Sequence, residues 1–241
     1  HGREDYHRHN IENVKKVCEF LGIETHVLDL QETFKKEVYD LFVNSYKDGI
    51  TPNPCAHCNR LIKFGALWEF AKSLGCDKIA TGHYARIENG LIKSAIDETK
   101  DQSYFLANLD PQILPYIIFP LGDKLKVDIK AQASQIPQIV SLASQKESSE
   151  ICFVETTYID VLKEHYNTNL PGIVRISNGD AIGTHDGYMQ YTIGKRKGFK
   201  INGAHDPHYV TNINARANEI TVGKKIETLA FEKAEYSFVK P

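Results

Sequence analysis

The sequence has no apolar run near the ~18 residues that a membrane-spanning helix needs, so no bilayer crossing is expected. It has no excess of either charge: 29 Lys and Arg stand against 31 Asp and Glu, a formal net charge of −2. The global charge does not point to a nucleic-acid binder, and any such partner must be held by local patches. No secretory signal is read at the start, where His1-Gly2-Arg3-Glu4-Asp5 leads into a charged segment. There is no internal repeat and no low-complexity tract, which excludes a repeat array. Cysteine is scarce. The five residues Cys18, Cys55, Cys58, Cys76 and Cys152 are too few and too spread for a disulfide scaffold. Their odd number reads as reduced and cytosolic, with reactivity or metal binding left open.

What is there fits a globular chain. Of 241 residues, 41% are hydrophobic and 25% charged, enough for one large domain or two modest ones. Ile11, Val14, Val17, Cys18 and Leu21 recur at helical spacing, and Gly22 follows as a helix stop. Thr25 to Leu30 reads as a strand. Phe34, Val38, Leu41 and Phe42 mark a second amphipathic helix that ends near Asp48-Gly49. The loop Thr51-Pro52-Asn53-Pro54 leads to a third helix with Phe64, Leu67, Ala71 and Leu74, stopped by Gly75. A short strand, Lys78 to Thr81, ends at Gly82. Helices alternating with short strands that are apolar on both faces predict a parallel α/β sheet.

The character then changes. Asn89-Gly90 between Tyr84–Ile87 and Leu91–Ser94 predicts a hairpin with a type I′ turn. Residues from about 101 to 166 read as helices broken by Pro111, Pro115, Pro120 and Pro137, and Thr157 to Asp160 has capping-box spacing. From Pro171 onward strands and turns are expected: Ile173–Ile176, the turn Asn178-Gly179, Met189–Ile193, Tyr209–Ile213 and Glu219–Val222. A boundary near Asn167–Gly172 separates the α/β part from the β-rich part.

Cys55-Ala56-His57-Cys58 is a C-x-x-C where a Pro-rich loop enters a helix. Backbone amides and the dipole at a helix start can lower a thiol pKa. Two unreactive loop cysteines, thioredoxin-like chemistry and half of a zinc site all remain open on spacing alone. Cys152 reads either as reactive or as a small buried hydrophobe, while Cys18 and Cys76 fit core patterns. Lys195-Arg196-Lys197, with Lys200 nearby, lies between Gly194 and Gly198. Flanking glycines let a backbone approach a phosphate, although such a cluster also serves as a solvated turn. Gly82-His83-Tyr84 follows a strand at the carboxyl end of the sheet, where α/β folds bind ligands.

Seven stretches, in order, resemble the tRNA-specific 2-thiouridylases. They are Thr51-Pro52-Asn53-Pro54 with Cys58-Asn59, Ile62-Lys63-Phe64, Ala80 to Arg86, Lys100 to Leu106, Phe119-Pro120-Leu121-Gly122, Ile151-Cys152-Phe153, and Tyr191 to Gly194 with Arg196-Lys197-Gly198. The resemblance covers roughly residues 10 to 223. It implies an α/β fold: a PP-loop sheet (Rossmann-like, of the adenine nucleotide α-hydrolase type) with a helical tRNA-binding insert, then a small β-rich central domain. The implied partition is 1–166 with the helical segment ~101–166, 167–223, and 224–241 as the remnant of a C-terminal barrel.

The implied reaction is ATP-dependent, with Mg2+, and replaces oxygen by sulfur at C2 of the wobble uridine, position 34. Cys58 resembles the nucleophile and Cys152 the persulfide carrier. Asn53, Pro54 and Cys55 match the segment that meets the target base, and Gly82 a nucleotide contact. His83, Lys100, Asp101 and Gln102 match tRNA contacts, joined by Lys195, Arg196 and Lys197. The implied partners are the anticodon stem-loop of glutamate-, glutamine- and lysine-type tRNAs and a sulfur-relay protein or cysteine desulfurase, in the cytoplasm. Turnover ends in a disulfide that a reductant must open.

Three departures stand out. The expected Ser-Gly-Gly-x-Asp-Ser phosphate loop with its strand, and most of the barrel, are not in the sequence given, which reads as a fragment or as ordered segments joined with gaps, and such a piece alone is expected to be inactive. Cys55 stands where many members have Asp. Glu150 stands where many have Gly, and a carboxylate there opposes thiolate formation at Cys152. Cys55, Cys58 and Cys152 also offer the three thiolates of a [4Fe–4S] cluster, a metal alternative to the persulfide route. A noncatalytic tRNA-binding fragment is the alternative from another class.

Overall fold

The computed structural model describes residues 2–140, 151–203 and 207–224. Two compact units emerge. One takes His1–Tyr39 and Asn53–Ile151, the other Asp40–Pro52 and Cys152–Pro241. Glu150 and the expected barrel remnant beyond Lys224 lie outside the described residues.

The first unit opens with helix α1 (Gly2–Leu21), which ends where the sequence predicts. Gly22 sits at φ +67°, its N–H donates to Glu19 O (3.1 Å), and Ile23 N–H donates to Cys18 O (2.9 Å). These two bonds satisfy two of the last four carbonyls, and a glycine enters this left-handed geometry without a Cβ penalty. The short helix α2 (Gln31–Phe34) follows and passes into a wide turn at Lys35–Tyr39.

The expected strand Thr25–Leu30 does not form. Val27 is 59% exposed, and no ladder partner stands beside it among the described residues. An extended segment without a neighbour leaves its amides to water.

The third predicted helix is present but changes pitch. It starts as α4 (Pro54–His57), widens to π-helical winding over Cys58–Ala66, and tightens again as α5 (Leu67–Ser73). At the exit of the wide segment Leu67 N–H reaches back five residues to Ile62 O. Strand β1 (Ile79–Ala80) follows, then the hairpin β2 (Ala85–Glu88) and β3 (Leu91–Ser94). Its turn residues Asn89 and Gly90 both have positive φ, as a type I′ turn requires.

The stretch read as broken helices does hold α-helices at Lys126–Ser134 and Tyr158–Lys163, but its first part is 3₁₀, Ser103–Leu106 and Pro111–Tyr116, followed by a strand, β4 (Ile117–Ile118). Pro115, inside the turn, denies the stretch an amide that a longer α-helix would use. The β-branched pair after the turn pairs in parallel with β1, Ile79 opposite Ile117. Helix α6 (Lys126–Ser134) follows, with Asp97 Oδ2 accepting from Lys126 N–H at its start (2.9 Å).

The core gathers Phe64, Trp68, Ile79, Ala85, Leu106, Leu109, Leu114 and Ile117. Gly122 sits against the hairpin so closely that a Cβ would run into Ala85 O, while its own carbonyl accepts from Ile96 N–H (2.9 Å). Only glycine permits that approach.

The second unit packs helix α3 (Asp40–Lys47), helix α7 (Tyr158–Lys163) and a five-stranded mixed sheet. The sheet runs β7 (Phe199–Ile201), β6 (Ala181–His185), β5 (Gly172–Arg175), β9 (Glu219–Gly223), β8 (Tyr209–Asn214). The β5–β9 pair is parallel and the others antiparallel. Val174, Val210, Ile220 and Val222 are fully buried on it. Thr157 caps α7 by accepting from Asp160 N–H (3.3 Å), as its spacing predicts. The expected strand Met189–Ile193 is instead a 3₁₀ turn at Tyr188–Gln190. Tyr188 and Met189 are buried side by side, which a period-two strand with one solvent face does not allow.

Candidate functional site

The C-x-x-C lies in one turn of the first unit. Asn53 precedes the helix and its Oδ1 accepts from Ala56 N–H (3.1 Å), while Pro54 takes the first helical position. An Asx cap and a proline at that place both favour helix entry. Cys55 and Cys58 are half-buried cysteines. Cys58 is the first residue of the π-wound segment, a geometry found often at functional sites. Asn59, beside it, is 2% exposed and donates through Nδ2 to Phe105 O (2.9 Å).

Gly82 is exposed at the carboxyl end of β1, with room beside it: an added Cβ would only touch Leu121 Cδ1, at 3.8 Å. His83 turns inward. It is 7% exposed, lies 6.0 Å from the Phe64 ring and 5.9 Å from the Phe119 ring, and pairs its Nδ1 with Thr81 Oγ1 at 2.7 Å. Burial first, then the Lys63 charge, pushes its pKa down to about 4. The ring is therefore neutral at physiological pH, and any bond it offers an RNA is that of an uncharged imidazole.

The Lys100–Gln102 segment is bound into the base of the hairpin. Asp101 accepts from Ala95 N–H (2.7 Å) and from the Ser103 hydroxyl (2.6 Å). Gln102 exchanges two bonds with Tyr84, donating from its N–H to Tyr84 O (2.8 Å) and accepting at Oε1 from Tyr84 N–H (3.0 Å). Lys100 is half-buried.

In the second unit Cys152 is exposed, not the buried hydrophobe that one reading allowed. The next residue, Phe153, is buried and meets Phe42 edge-on at 5.1 Å, so the thiol stands on an anchored backbone. Cys76, placed in the core by its pattern, is also exposed. It follows Gly75, where the chain has left α5, so the apolar stripe no longer faces inward.

Lys195 is less free than a surface lysine. Its Nζ donates to Gln190 O (2.6 Å) and lies 5.0 Å from the Tyr191 ring centre, and burial lowers its pKa. Arg196 and Lys197 are exposed on a loop that Gly194 (φ +86°) and Gly198 (φ +98°) let turn at both ends. The Tyr191 hydroxyl donates to Gly198 O and closes that loop.

The structure thus brings Asn53, Pro54, Cys55 and Cys58 into one turn, and Asp101 and Gln102 onto the hairpin. Sequence reasoning gave no role to Thr81 or Asn59. The pair Cys58-Asn59 in the first resembling stretch was the signal for the latter. Cys55 and Cys58 are two of the three thiolates a [4Fe–4S] cluster needs. Among the described residues no group of three or more His, Cys, Asp or Glu side chains is arranged to hold a metal ion. Nor, among them, is any helix long and apolar enough to cross a membrane.

Comparison with known proteins agrees with these features. The family described as the tRNA methyl transferase HUP domain matches residues 4–156, and the tRNA methyl transferase PRC-barrel domain matches residues 159–224. A protein of Campylobacter fetus named tRNA-specific 2-thiouridylase MnmA is 68% identical over 99% of this chain and 70% of its own length. Proteins of the same name from Campylobacter lari and Campylobacter hominis are 63% and 59% identical over 94% of this chain, which spans 67% and 62% of their lengths. The α/β unit with its parallel pair, the β-rich unit and the ordered motifs all fall within these matches, and the chain belongs to the tRNA-specific 2-thiouridylase family.

Proposed function

We propose that this protein carries out the ATP-dependent 2-thiolation of the wobble uridine, position 34, of tRNA. The observation that carries the proposal is the Cys58 turn: a half-buried thiol at the start of a π-wound segment, capped by Asn53 and anchored through Asn59. The family description speaks of methyl transfer, whereas the relatives are named for thiolation. Two thiols within the matched motifs, one of them exposed, suit sulfur chemistry.

The uridine C2 oxygen attacks the α-phosphorus of ATP, pyrophosphate leaves, and the oxygen becomes part of a good leaving group. The terminal sulfur of a persulfide on Cys152 attacks C2, and AMP departs with the oxygen. The Cys58 thiolate then attacks the inner sulfur of Cys152. The sulfur–sulfur bond breaks, its electron pair stays with the sulfur on C2, and a Cys58–Cys152 disulfide remains. A dithiol reductant returns both thiols by a two-electron exchange. Mg2+ travels with the nucleotide phosphates and needs no all-protein cage.

Asn53, Pro54 and Cys55 meet the base, which must leave its stack. The single-stranded anticodon loop lowers that cost. Gly82, exposed at the end of β1, lets the nucleotide approach the backbone. Arg196 and Lys197 take RNA phosphates, Lys195 holds their loop, and His83 with Lys100, Asp101 and Gln102 shapes the surface that receives the anticodon arm. The sulfur reaches Cys152 from a sulfur-relay protein or a cysteine desulfurase in the cytoplasm, and glutamate-, glutamine- and lysine-type tRNAs are the substrates.

The experiment is thiolation of tRNA by the full-length protein and by its Cys58→Ser and Cys152→Ser variants. Each variant is expected to lose turnover, and unchanged turnover in either one refutes its role.

A further inference from the structure

Asn59 is an expensive residue for its place. It is 2% exposed, and its Oδ1 meets no hydrogen-bond partner among the described residues. A half-satisfied buried amide is a standing cost that a leucine of similar shape avoids. The other half makes one bond, from Nδ2 to Phe105 O at 2.9 Å.

That bond joins two places of interest. On one side is the π-wound segment that begins at Cys58. On the other is the Ser103–Leu106 turn, whose Phe105 N–H donates to Gln102 O (3.1 Å). Gln102 in turn exchanges its two bonds with Tyr84. A continuous run of hydrogen bonds therefore leads from the residue beside Cys58, through Phe105 and Gln102, to the start of the hairpin. A π-wound segment is rare, is found mostly as single-turn bulges inside α-helices, and occurs frequently at functional sites.

We propose that Asn59 is a positioning residue. It holds the wide segment in register against the Ser103–Leu106 turn, so that RNA held at Lys100–Gln102 fixes where the Cys58 sulfur stands. The inference deepens the reading above and rests on Cys58 as nucleophile and on the Lys100–Gln102 segment as an RNA contact.

Two measurements test it. The first is amide hydrogen exchange of the wild-type protein with and without an anticodon stem-loop RNA carrying a wobble uridine. The RNA is expected to slow exchange at 102–106 and at 58–62 together. Protection confined to 102–106 overturns the coupling, and this measurement needs no variant to fold.

The second is Asn59→Leu, which is uncharged and removes the bond to Phe105. It is expected to lower kcat about tenfold or more with KM for tRNA within about twofold, since misplacement costs the reacting step more than binding. It is also expected to move the pH midpoint of Cys58 alkylation, which a smaller folded fraction alone cannot do. An unmoved midpoint with kcat within about twofold of wild type overturns the inference. Cys58→Ser separates the two proposals. If it stays active the nucleophile reading fails, and if it is dead while Asn59→Leu is normal only the positioning role fails.

Discussion

His83 offers a sign-definite test of how the site is built. Its pKa is pushed from the ordinary 6.5 to about 4, chiefly by burial and then by Lys63. A depressed histidine binds its proton more readily in the unfolded chain. The neutral ring costs nothing above pH 6.5, and stability is lost as pH falls from 6.5 toward 4. At pH 5, about 1.5–2 kcal/mol should be missing relative to pH 7.5, from the difference in proton binding between a pKa of 6.5 and one near 4, tempered for residual solvent contact. His83→Phe keeps an aromatic ring beside Phe64 and Phe119 at the cost of a larger side chain, and gives up the Thr81 bond. The assay is urea unfolding at pH 7.5 and at pH 5, wild type against variant. His185, whose pKa is also lowered by burial, is common to both proteins and cancels in the difference. The wild type should lose more stability on acidification, by that 1.5–2 kcal/mol. Parallel losses would refute a buried neutral His83.

Other expectations follow from single contacts. Gly122→Ala drives a Cβ into Ala85 O and should destabilise by about 2 kcal/mol or more, read as a lower unfolding midpoint. Asn53→Ala removes the cap on Ala56 N–H and should cost about 1 kcal/mol in thermal unfolding, and it should lower thiolation by more than that loss of folded protein explains. Arg196→Ala and Lys197→Ala should each weaken tRNA binding and reduce the slope of log affinity against log salt by about 1, with kcat at saturating tRNA little changed.

The legible parts of the sequence were those set by local chemistry. Gly22, Asn89-Gly90 and Thr157 announced their stop, turn and cap because each acts on neighbouring amides. The rest depends on distant partners. Thr25–Leu30 has strand composition but no ladder beside it, whereas Ile117–Ile118 becomes a strand because β1 lies alongside. Strand β6 has no clear period-two signature because Gly183 interrupts its apolar pattern. The glycine is there because a Cβ would collide with Lys200 O on β7. The π winding at Cys58–Ala66 turns Ile62, Phe64 and Trp68 inward and leaves Leu67 exposed, a shift that the helical spacing of Phe64, Leu67 and Ala71 does not announce. The cysteine motif and its capping residue were readable. The Asn59–Phe105 tie, spanning 46 positions, was not.

The central claim is the reaction, and nucleoside mass spectrometry of tRNA tests it most directly. In tRNA from a strain lacking the gene, the wobble uridines should carry oxygen at C2. Restoring the full-length gene should bring back 2-thiouridine at position 34, and the Cys58→Ser gene should not. Intact wobble thiolation in the deletion strain, or loss of a methyl group in its place, would contradict the account.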